Sequence, residues 1–118
     1  MITVNIEKKN GIIMGILSCG HAEKKNLLKK IFRGAALYNA VCAGVSALEY
    51  AFLNTVRELT RVVIYPQITC GRFEITLHEY SREDAEVLKN LSAFFLIGLS
   101  AISGKHPEQL QIIIKEAE

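Results

Sequence analysis

The chain has 118 residues, which is enough for one domain around one core and too few for two ordinary domains. Half of its residues are hydrophobic and 22% are charged, so a packed globule is expected and a disordered chain is excluded. A formal net charge of +2 is too small to argue for a nucleic-acid partner.

Ile2, Val4 and Ile6 alternate with Thr3, Asn5 and Glu7, the period-2 pattern of a half-buried strand. The chain therefore opens as a strand and not as a secretory leader. Lys9-Asn10-Gly11 supplies a tight turn, and residues 12–19 continue as a second strand. This hairpin delivers His21 just past its end. Residues 23–38 hold Lys24, Lys25, Lys29, Lys30 and Arg33 against one acid, Glu23. Leu27, Leu28, Ile31 and Phe32 sit among them at helix-like spacing, and either a loop or a short amphipathic helix fits.

From Ala40 to about Thr60, Val41, Val45, Leu48, Phe52, Val56 and Leu59 recur every three or four residues, which predicts a long helix. Asn39 is its expected N-cap. Residues 62–65 and 73–78 read as strands joined through Pro66 and a Cys70-Gly71 turn. Ser81 is placed to cap a second helix, with Glu83 and Asp84 in the first turn and Gly104 and Pro107 ending it. Leu88, Leu91, Phe95, Leu99 and Ile102 form its apolar stripe. Its most apolar window, residues 91–103, is shorter than a membrane span. Leu110 to Lys115 closes the chain as a short edge strand. The order β-β-α-β-β-α-β predicts a two-layer α+β domain over residues 1–118, with both helices on one face of a mixed or antiparallel sheet. No repeat, linker or low-complexity tract interrupts it.

Cys42 carries the chemical interest. Read as part of the first turn of the helix, its thiol would feel the positive end of the macrodipole, which favours thiolate. A histidine alongside, and His21 is the accessible one between Gly20 and Ala22, would act as general base and then general acid. Ser46 lies one turn further along the same face. The amides at the helix start, chiefly those of Ala43 and Gly44, are expected to serve as oxyanion donors. Against this stands the ordinary reading of Cys42 as a small buried residue. His78 and His106 read as structural or exposed. Cys19, His21, Cys42 and Cys70 make a conceivable zinc set, but no CxxC knuckle supports it, and no metal or cofactor is expected. Three cysteines without framework spacing point to reduced thiols in a cytoplasmic protein.

Gly20-His21-Ala22, followed downstream by Val41-Cys42-Ala43 and then Ser46, resembles the signature of the ribosomal-processing cysteine proteases of the Prp family. With the N-terminal strand and the element order, the resemblance covers nearly the whole chain. It implies a His21–Cys42 catalytic dyad and an endopeptidase that removes the N-terminal extension of a large-subunit ribosomal protein, cutting after a hydrophobic stretch that ends in aromatic residues. It also implies a homodimer. Under this reading residues 23–38 form a substrate lid through Leu27, Leu28, Ile31 and Phe32. Asn39 stands where the family carries an acid, and Leu37 where it carries a glycine. Asn39 is expected to orient the imidazole through its carbonyl oxygen, without the charge of an aspartate. The alternative is a non-catalytic, ribosome- or RNA-associated binding module that uses the basic segment, although nearby aromatic residues for stacking are few.

Overall fold

The computed structural model contains β1 (Ile2–Lys9), β2 (Ile12–Cys19), α1 (Ala35–Leu59), β3 (Ile64–Thr69), β4 (Arg72–Leu77), α2 (Arg82–Lys105) and β5 (Leu110–Glu116). It describes residues 1–20 and 35–117, without the side chains of residues 35–39. The strands form one sheet in the order β3-β4-β2-β1-β5. β5 runs parallel to β1, and every other pairing is antiparallel. The fold is therefore the expected two-layer α+β arrangement with a mixed sheet.

Alternation decides which face is covered. Ile2, Val4 and Ile6 of β1 are buried, as are Ile16 of β2 and Phe73, Ile75 and Leu77 of β4. From the helices, Val45, Phe52, Val56, Leu88, Phe95 and Leu99 join the same core. The Phe52 and Phe95 rings meet with centroids 5.3 Å apart, which fastens α1 to α2 over the sheet. Gly44 and Gly98 let the helices approach: a Cβ on Gly44 would stand 3.2 Å from Ile102 Cδ1, and one on Gly98 would stand 3.0 Å from the Leu48 methyls.

Several boundaries differ from the sequence reading. α1 starts at Ala35 and not after Asn39, because Ala35-Ala36-Leu37 are strong helix formers and carry the helix through Tyr38 and Asn39. Asn39 is therefore inside the helix and does not cap it. Pro66 lies within β3, which it can do because β3 is an edge strand with one side free of ladder bonds. Ser81 stands at the N-cap of α2 without a side-chain bond. Asp84 pins that end instead, its N–H donating to the Ser81 carbonyl and its Oδ2 accepting from the Arg61 N–H at 3.0 Å. By length and composition alone, the full α2 is long and apolar enough to cross a membrane, more than the 91–103 window implied. A helix in the core of a globular protein passes the same measure, and Leu88, Phe95 and Leu99 of α2 are core residues here.

The β1–β2 turn is as expected, with Asn10 at φ 54° and Gly11 at φ 79°. One feature of the hairpin was not foreseen. Glu7 pairs with Gly15 but Lys8 pairs with Ile13, so Met14 is an extra residue and the strand bulges. The bulge lets the adjacent Ile12 and Ile13 both be buried. The Ile13 N–H, turned out of regular pairing, donates to Ser92 Oγ of α2 at 2.8 Å, and Ser92 is fully buried. A hydroxyl thus completes the backbone of a bulge in the core. Ser92→Ala leaves that N–H without an acceptor and is expected to lower stability by about 1–3 kcal/mol in urea denaturation. An unchanged midpoint would mean that the bulge has another acceptor.

Candidate active site

At one end of the sheet, the end of β2, the inward face of α1 and the tip of the β3–β4 hairpin enclose a cleft of about 310 Å³. β2 contributes Ser18, Gly20 follows the end of that strand, α1 contributes Cys42, Ser46, Glu49 and Tyr50, and the hairpin contributes Ile68, Thr69 and Phe73. Tyr50 and Phe73 meet edge to face with centroids 5.6 Å apart, forming an aromatic wall between helix and hairpin. Helical geometry explains the α1 set. Positions 42, 46 and 49 are spaced by four and three residues and so share one stripe, which joins the apolar stripe at Glu49.

Gly20 sits where no other residue fits without rearrangement. Its φ is +113°, and a Cβ there would collide with the Met1 carbonyl oxygen. The chain crosses the start of β1 at this point, and the next residue in sequence is His21. His21 itself lies outside the described residues, as do Leu27, Leu28, Ile31 and Phe32, the expected lid. Cys42 and Ser46 line the same cleft as Gly20, so two of the expected site residues come together beside the residue that precedes the third. For Asn39 only the backbone is described.

The early start of α1 changes part of the expected chemistry. Cys42 lies about two turns inside the helix. The macrodipole effect is concentrated in the first turn, so it contributes little to a thiolate at this position. The amides of Ala43 and Gly44 likewise fall where helical geometry pairs them with the carbonyls of Asn39 and Ala40. They are not the oxyanion donors. Ala43 is exposed and does not line the cleft, and Gly44 faces Ile102 of α2. Cys19, Cys42 and Cys70 are outside disulfides. Cys19 alternates with buried Ser18 and so belongs to the opposite face of the sheet from the helices, and Cys70 is in the exposed β3–β4 turn. His78 is exposed and packs its ring edge to face on Tyr65, and the His106 N–H donates to Ile102 O at the end of α2.

Glu49 is the cleft residue that the sequence reading missed. It is only 3% exposed. Burial pushes its carboxyl up from 4.5 to about 7, against a hydrogen bond from Ser18 that pulls it down. Its Oε2 is buried and has no hydrogen-bond partner among the described residues. A signal was present in the sequence. Val45, Glu49, Phe52 and Val56 recur at four, three and four residues, so an acid occupies a slot in an apolar stripe.

The sequence profile of the family described as cysteine protease Prp matches residues 1–111. No curated protein matches the chain. Among solved structures, the essential ribosomal processing protease Prp from S. aureus, in complex with a covalently linked product peptide, aligns with a TM-score of 0.71 at 23% identity, covering 98% of this chain and 100% of that one. The complex of the S. aureus protease with a substrate peptide aligns with a TM-score of 0.74 at 20% identity over the same shares. A protein from Streptococcus mutans aligns with a TM-score of 0.74 at 23% identity, covering 99% of this chain and 96% of that one. At these identities the likeness to the solved structures is one of fold.

The raised value at Glu49 makes stability depend on pH. The folded carboxyl holds its proton to about 7, whereas the unfolded one releases it near 4.5. The contribution from burying the neutral form is therefore complete below 4.5 and is lost as pH rises through 7. Glu49→Gln cannot ionise. Its stability relative to wild type should rise between about pH 5 and about pH 8, by roughly 3 kcal/mol at most. Urea midpoints of both proteins at the two pH values check this, and an equal difference at both would contradict it.

Proposed function

This chain belongs to the cysteine protease Prp family, and we propose that it is an endopeptidase that removes the N-terminal extension of a large-subunit ribosomal protein in the cytoplasm. The observation that carries the reading is that Cys42 lines the same cleft as Gly20, the residue bonded to His21. The ribosomal substrate is supported by the family and by the S. aureus protease whose structures hold substrate and product peptides.

In this mechanism the substrate lies across the cleft with its scissile carbonyl over Cys42. The His21 imidazole takes the thiol proton as the sulfur attacks the carbonyl carbon and a C–S bond forms. The tetrahedral intermediate collapses, the C–N bond breaks, and His21 gives its proton to the departing amine. Water then adds to the thioester, His21 takes a proton from it, and the C–S bond breaks to release the new carboxyl terminus and restore the thiol. Because the helix dipole contributes little at Cys42, the imidazole carries most of the activation, with Asn39 orienting it in place of the family acid. Ser46 offers a hydroxyl donor one turn along the same wall. The Tyr50–Phe73 wall provides an apolar surface for a hydrophobic, aromatic-rich stretch of substrate. A homodimer is part of the proposal, and Phe94 and Ile97 of α2, 69% and 70% exposed, offer it an apolar surface.

Mass spectrometry of a ribosomal protein bearing its N-terminal extension, incubated with wild type, Cys42→Ala and His21→Ala, tests the activity. A shortened product is expected with wild type, and kcat/KM should fall by at least about a thousandfold in either variant. Iodoacetamide near neutral pH should modify Cys42 faster than Cys19 or Cys70. An intact substrate with folded wild-type protein would reject the protease and favour the binding module.

A further inference from the structure

A buried carboxylate oxygen with no hydrogen-bond partner calls for a reason, since native interiors leave few polar atoms unsatisfied. Glu49 Oε2 is such an atom among the described residues, and its side chain lines the cleft beside Cys42. As a structural device the residue is a poor choice. A leucine would fill the same stripe slot without desolvating a charge, and a glutamine would keep a partner for Ser18 without one. The cation nearest in the lining does not relieve it. Arg72 gives its guanidinium to Glu74 Oε1 at 3.3 Å, and strand alternation places both on the opposite face of β4 from buried Phe73.

We infer that Glu49 is a specificity-determining residue, the acidic floor of a subsite that receives a lysine or arginine side chain of the bound peptide. This rests on the cleft being the peptide-binding site of a protease. The surroundings suit such a side chain. Ile2, Val45 and the edges of Tyr50 and Phe73 are apolar walls for an alkyl stem, and the cleft volume accommodates one. The charged head would meet Oε2 in water-poor surroundings, where a charge-assisted hydrogen bond is strong. Ser18 hydrogen-bonds the carboxyl. An empty subsite would hold its carboxyl partly neutral near pH 7, and an arriving cation would draw it to the ionised form.

The probe is a fluorescein-labelled, apolar-aromatic peptide in which a single lysine is moved through every position, each version paired with its norleucine counterpart. Binding is read by fluorescence anisotropy to full-length Cys42→Ala, so that no turnover is needed, and again after adding Glu49→Leu or Glu49→Gln. At one position or two adjacent ones, lysine should bind at least about tenfold more tightly than norleucine. Both Glu49 variants should lose that preference while still binding the norleucine peptides. Glu49→Gln keeps shape and the Ser18 contact, so its result stands even if the leucine variant is poorly folded. Equal binding of lysine and norleucine at every position, a preference that survives both variants, or no binding by any peptide overturns the assignment. Cleavage of the same peptides by wild type is scored separately, and its absence counts against the protease alone.

Discussion

Burial of α1 against the inner face of β1, β2 and β4 is the constraint from which the cleft follows. One stripe of the helix must be apolar to cover the sheet, and Val45, Phe52 and Val56 meet that demand. β2 ends at Cys19 and the chain turns at Gly20 over the start of β1. On α1, Cys42, Ser46 and Glu49 face a cleft whose other walls are Ile2 of β1, Ser18 of β2 and the β3–β4 hairpin. The β3–β4 hairpin closes the far side through Phe73. The site is thus bounded by a 25-residue helix, the end of an eight-residue strand and a hairpin of two six-residue strands.

The element order was legible because each element carries a local signal of its own. The Ile2–Glu7 alternation, the Asn10-Gly11 turn and the Leu88-Phe95-Leu99 stripe all depend on neighbours a few residues away. What failed to show were features decided between local preferences or across the sheet. Asn39 is a good N-cap, yet three helix-forming residues before it outweigh a single capping bond. Pro66 reads as a break until the sheet order makes β3 an edge. The Met14 bulge is set by pairing with Glu7 and Lys8 and by Ser92, seventy-nine residues downstream of Ile13. In the site, Cys42, Ser46 and the Gly20-His21 pair were visible as motif residues. Glu49 was not, because an acid within an apolar run reads as a solvated helix face until its neighbours are known to be core.

The helix start at Ala35 also changes what can stabilise a thiolate at Cys42. At a helix N-terminus, a thiolate is stabilised by amides that have no other partners. Two turns inside, those amides are committed to the helix, and an anion on Cys42 faces instead the cleft and whatever charge the cleft contains. The only buried ionisable group among the described residues of that lining is Glu49, whose carboxylate would oppose a thiolate on the same stripe. Burial keeps Glu49 partly protonated near pH 7 and so weakens that opposition. Desolvation of the acid and ionisation of the thiol are therefore compatible in one small volume, provided that the carboxyl stays neutral or acquires a cation.

That coupling gives the buried acid a consistent physical logic. A carboxyl in this position weakens the fold at neutral pH, and proteins retain such groups where the lost stability is exchanged for discrimination between ligands. A peptide that brings a positive charge would neutralise Glu49 and leave the thiol unopposed, whereas an uncharged peptide would offer the acid nothing. Recognition at Glu49 and ionisation at Cys42 would then be two expressions of the same electrostatic balance, set by the seven-residue spacing that places both on one wall of α1. The aromatic wall would add affinity without charge, so the two halves of the cleft would read different chemistry: Tyr50 and Phe73 the apolar part of a bound chain, Glu49 its cation.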